Sequence, residues 1–81
     1  MHKRELVENY LRATGALLAC QDVSTEKEYG NYYFKTLLYV GGDIRALMEN
    51  VNAYIKLNNL EKAATQLGKA IPEIERFVQR L

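Results

Sequence analysis

The feature that most restricts this chain is the spacing of apolar residues in its last quarter. Leu60, Ala64, Leu67, Ile71, Ile74, Val78 and Leu81 alternate in steps of four and three without a miss. That rhythm places one stripe on a single α-helix and is incompatible with a strand, whose side chains repeat every second residue. Ala63, Ala70 and Phe77 widen the stripe, which suits a bundle helix better than an isolated two-stranded coil. A long apolar stripe must be covered, so its partners are sought upstream.

Three more helical segments supply them. From about 3 to 20, Leu6, Val7, Tyr10, Leu11, Thr14, Leu17 and Leu18 share a face, with Ala13, Gly15, Ala16 and Ala19 leaving room for close approach. Gln21 to Ser24 reads as a polar break. Thr25 and Glu28 then have the spacing of a capping box, predicting a helix over 25–40 with Tyr29, Tyr32, Tyr33, Thr36, Leu37 and Val40 inward. Gly41-Gly42 supplies a left-handed stop, and Asp43 is expected to cap a third helix over 43–57. That helix carries Ile44, Leu47, Met48, Val51, Tyr54 and Ile55 and ends at Asn58-Asn59, residue types that tolerate a left-handed turn. The fourth helix spans 60–81. Pro72 removes one of its hydrogen bonds and presses on the carbonyl of Gly68, so a kink is expected there. The aromatic run Tyr32–Val40 also has strand character, but no second run of that kind exists to pair with it.

The expected fold is therefore all-α: a four-helix bundle of two helical hairpins, forming a single domain over residues 1–81. With 48% hydrophobic and 26% charged residues the chain is too apolar for disorder. Cys20 is the only cysteine and His2 the only histidine, which excludes an intrachain disulfide and leaves little for a metal site. No cofactor is expected. The longest apolar run, Ala16 to Cys20, is far too short to span a bilayer, and no apolar segment of a secretory signal follows Lys3-Arg4-Glu5. A cytoplasmic location is expected.

Residues 46–71 carry one further pattern: Ala53-Tyr54-Ile55-Lys56-Leu57-Asn58-Asn59-Leu60-Glu61-Lys62-Ala63, then Leu67 and Ala70. This run resembles a single tetratricopeptide repeat, a helical hairpin that stacks into protein-binding arrays. Tyr54, Ala63 and Ala70 fall on the family's aromatic and small positions. Val51 stands where a small residue is usual, Pro72 comes three residues early, and the first half of the chain does not repeat the pattern. The resemblance implies a helical hairpin used for binding protein.

Chemistry is hard to assemble from these residues. Cys20 has no histidine placed to activate it and follows an apolar run, which predicts a buried core cysteine. Glu26 and Glu28, or Glu73 and Glu75, stand two apart and point different ways on a helix. Gly41-Gly42 lacks the lysine and hydroxyl residue of a phosphate loop. The tyrosines on apolar stripes, Tyr10, Tyr29, Tyr33 and Tyr54, are expected in the core with their hydroxyls at its rim. No enzyme is expected.

The sequence points instead to a small non-catalytic regulator or adaptor that binds a protein partner through an apolar helix surface. A small inhibitor of the immunity or antirepressor kind shares the same physics. Phe34 and Leu38 lie away from the inward face of the second helix and touch as an i, i+4 pair, so they are candidate protein-binding residues. Phe77, Val78 and Leu81 are the others, because the fourth helix outruns the third. A homodimer joined there is the expected assembly. The alternative is a nucleic-acid-binding regulator using Lys62, Lys69, Arg76 and Arg80 on the outer face of the last helix. The net charge of only +1 weighs against it.

Overall fold

The computed structural model describes residues 2–81. Four helices account for 84% of them, with no strand among the described residues. They are α1 (Lys3–Ala19), α2 (Val23–Leu37), α3 (Gly42–Lys56) and α4 (Leu60–Gln79). Consecutive helices pack as hairpins, α1 on α2 and α3 on α4. The chain divides into two compact units, Met1–Tyr39 and Val40–Leu81. The aromatic run with strand character is helical as far as Leu37.

In the first unit α1 ends where Gln21 folds back, its side-chain amide donating to the carbonyls of Leu17 (2.6 Å) and Leu18 (3.1 Å). Cys20 adopts an extended backbone there and is exposed, contrary to its expected burial. A residue that leaves the helical path at the C-cap no longer projects with the apolar face that precedes it. The capping box of α2 also lies three residues earlier than Thr25–Glu28, at Asp22–Thr25. The Thr25 amide donates to Asp22 Oδ1 (2.8 Å) and the Asp22 amide donates to Thr25 Oγ1 (3.0 Å). The helix thus starts at Val23, and these backbone contacts hold the Asp22 carboxyl below the usual carboxylate range.

The core of this unit is aromatic. Leu6, Val7, Tyr10, Ala13, Thr14 and Leu17 of α1 are buried, with Tyr29, Tyr33 and Thr36 of α2. Tyr29 and Tyr33 stack at 5.6 Å between ring centroids, and Tyr10 sits 6.3 and 6.4 Å from them. Each is a large apolar surface to bury on one hairpin. Contrary to the expectation from sequence, the Tyr10 hydroxyl does not reach the rim; it is buried without a hydrogen bond of full geometry, interacting only weakly with the Thr14 side chain. Burial pushes its phenol, and that of Tyr29, far above the ordinary tyrosine range.

The α2–α3 connection tightens after Leu37. The Leu38 and Tyr39 amides donate to the Lys35 and Thr36 carbonyls, and Gly42 has φ +58°, a conformation that suits glycine. Gly41, not Asp43, occupies the N-cap of α3; Asp43 lies in the first turn, where its charge still suits the helix dipole.

In the second unit, α3 closes in a Schellman motif. Asn58 takes φ +56°, its amide donates to the Ile55 carbonyl, and the Asn59 amide reaches the Tyr54 carbonyl. Asn59 is at once the N-cap of α4, its side chain accepting from the Lys62 amide. Buried residues here include Met48, Val51, Ala63, Leu67, Ala70 and Ile74. The centre of the α4 stripe is therefore Ala63-Leu67-Ala70-Ile74, rotated from the seam expected from sequence, and Ala64 is exposed. α4 continues unbroken across Pro72.

Candidate protein-interaction face

The outward side of α2 is built by the same periodicity that buries its tyrosines. At about 100° per residue, Val23, Phe34 and Leu38 fall within an arc of about 60°, opposite Tyr29 and Thr36. All three are open to solvent, at 70%, 65% and 80% exposure. Leu38 follows the last helical residue but keeps helical backbone angles, so it belongs to the same line. Val23 joins the patch only because the Asp22 cap starts α2 two residues before the expected helix over 25–40. The Asp22-x-x-Thr25 spacing is the signal that would have revealed it.

Lys27 lies inside this arc, with Gly30 and Asn31 on its two margins. A Cβ at Gly30 would meet nothing within 4 Å. Phe34 is supported from beneath by Tyr33, edge-on at 5.3 Å. At the Leu38 end a cavity of about 250 Å³ opens between Leu6, Lys35, Leu38 and Tyr39. Tyr39 is itself exposed, and the Lys3 ammonium lies 5.5 Å from its ring centroid. The result is a ribbon of apolar side chains interleaved with lysines.

The other candidates are placed differently. Phe77 and Val78 are half-buried, Ile74 is buried and Leu81 is exposed. These residues offer less free apolar surface than α2. On the basic side of α4, Lys62 sits 5.9 Å from the Tyr54 ring, and Arg76 pairs with Glu73. Lys69 shares a cavity of about 400 Å³ with Asp43, Ala46, Leu47, Asn50 and Glu73. Arg80, the C-cap, is exposed. Acidic groups thus interrupt the ridge in place as they do in sequence. Among the described residues no helix is long and apolar enough to cross a membrane.

No protein-family model, curated protein or solved structure matches this chain.

Proposed function

We propose that this chain is a non-catalytic protein-interaction module, a small regulator or adaptor, that binds through the outward face of α2. One observation carries the reading: Val23, Phe34 and Leu38, three exposed large apolar side chains, share a single helix face. Scattered apolar residues on a surface are ordinary, but an aligned group flanked by polar residues marks contact sites. The tetratricopeptide resemblance of residues 46–71, which lie in the α3–α4 hairpin, is a second, lesser reason for reading the chain as a protein binder. An exposed single thiol suits a reducing compartment, so the cytoplasm is the proposed location. The nucleic-acid alternative receives less support, because Glu73 and Asp43 sit among the lysines and arginines it needs.

Replacing Phe34 and Leu38 together with serine tests this. Both side chains are mostly exposed, so melting should shift by no more than about 2–4 °C, the effect of roughly 0.5 kcal/mol in a domain this small. Association should fall by at least about tenfold, as expected when central anchors are lost. A variant that unfolds, or that associates as the parent does, contradicts the assignment.

A further inference from the structure

The α2 face has an order along its length that selects its occupant. Reading its outward residues from the N-terminus gives Val23, Lys27, Gly30, Asn31, Phe34 and Leu38. This series is symmetric about the midpoint between Gly30 and Asn31: Val23 and Leu38 are equidistant from it, as are Lys27 and Phe34. We propose that the face pairs with a second copy of itself, α2 antiparallel to α2 about a twofold axis at Gly30-Asn31. This rests on the preceding assignment of the face and adds the identity of the partner.

The pairing satisfies each position. Val23 meets Leu38 of the partner subunit at both ends of a contact about 22 Å long. The Lys27 stem lies along the ring of the partner's Phe34, with its ammonium over or beside the aromatic face. Gly30, with open space around it, lets the two backbones approach at the crossing point opposite Asn31 of the partner subunit.

Charge completes the match. Glu28 and Lys35, both exposed, stand on one flank of the face. An antiparallel pair keeps each flank on its own side. Glu28 therefore comes within about 3 Å, measured along the helix axis, of the partner's Lys35, and the pair occurs twice. Parallel pairing would instead set Lys27 directly against Lys27 of the partner subunit across the contact, where like charges repel. Three large apolar side chains from each copy make a small interface, so the dimer is reversible, with Kd on the order of 10–100 µM.

Sedimentation of the full chain at low salt tests the pairing with wild type, Lys35→Glu and the exchange Glu28→Lys/Lys35→Glu. The expected pattern is a concentration-dependent dimer in wild type. Lys35→Glu should weaken it by about tenfold, since two attractive pairs become repulsive, and the exchange should recover most of the loss. The exchange carries the same residue at position 35 as the single variant, so recovery does not come from folding. Mixing Lys35→Glu with Glu28→Lys should also restore association. A wild-type chain that stays monomeric into the millimolar range overturns the second copy as occupant, while the Phe34/Leu38 double variant still tests the face against another protein. A dimer indifferent to Lys35→Glu also overturns the pairing, and one further indifferent to the loss of Phe34 and Leu38 removes the face assignment with it.

Discussion

Tyr10→Phe should make the protein more stable, although it removes a polar group from a residue in full van der Waals contact. Tyr10 is 1% exposed, and its buried hydroxyl makes no hydrogen bond of full geometry, only a weak interaction with the Thr14 side chain. In the unfolded chain that hydroxyl is bonded to water. Leaving such a group unsatisfied costs about 1–3 kcal/mol, which phenylalanine avoids. The opposing term is the space left by one oxygen atom, on the order of 10 Å³, worth about 0.2 kcal/mol at the usual cost of cavity volume. The ring contacts with Tyr29 and Tyr33 at 6.3 and 6.4 Å are kept. A net gain of about 1–2 kcal/mol follows, raising the melting temperature by roughly 5–10 °C. Tyr10→Ala, which discards the ring, should instead cost about 3–5 kcal/mol. Urea and thermal denaturation followed by circular dichroism give both values. The pH dependence adds an internal check. Burial raises the Tyr10 phenol pKa in the folded state, so its proton linkage favours folding below the ordinary tyrosine pKa of about 10 and is lost as pH rises through the folded value. The advantage of Tyr10→Phe should therefore widen above pH ~10. A phenylalanine variant less stable than wild type by about 1 kcal/mol or more would show that the hydroxyl is fully hydrogen-bonded in the folded protein, to Thr14 or to water, and would overturn the expected gain.

Two further substitutions probe the helix ends and interiors. Asp22→Ala should destabilise α2 at neutral pH, and the difference from wild type should shrink as pH falls below about 4. The native carboxyl pKa is depressed, so its contribution is present above the unfolded value and is lost by protonation, readable in melting curves across that range. Gly15→Ala, at an exposed position inside α1 where a Cβ meets nothing within 4 Å, should add about 0.5–1 kcal/mol by chemical denaturation.

Periodicity carried most of the fold, because helix spacing is a property of apolar residues alone. The inward stripes of α1, α2 and α3 and the α3–α4 turn at Asn58-Asn59 were all legible in that way. The start of α2 was not, since Asp22-x-x-Thr25 and Thr25-x-x-Glu28 overlap and each offers a reciprocal cap. The first prevails with both of its hydrogen bonds formed. The strict four-three seam of α4 also misplaced the centre of burial. A stripe several residues wide has more than one line of step four and three through it, and packing selected the line through the alanines. Cys20 shows a different limit: apolar neighbours predict burial only while the chain keeps its helical path, and here the path ends at that residue. Within the candidate site, Phe34 and Leu38 were visible as residues opposite the tyrosine face. Val23 was hidden by the misplaced cap, and Lys27 with Gly30 gained meaning only once the face had a register.

The most direct measurement is an amide correlation NMR dilution series on the wild-type chain, from about 1 mM to 10 µM, spanning the Kd expected of a small interface. Concentration-dependent shifts are expected at Lys27, Asn31, Phe34, Lys35 and Leu38 on the outward side of α2, with Phe77, Val78 and Leu81 unchanged. Shifts confined to the end of α4, or none across the series, would contradict the α2 pairing.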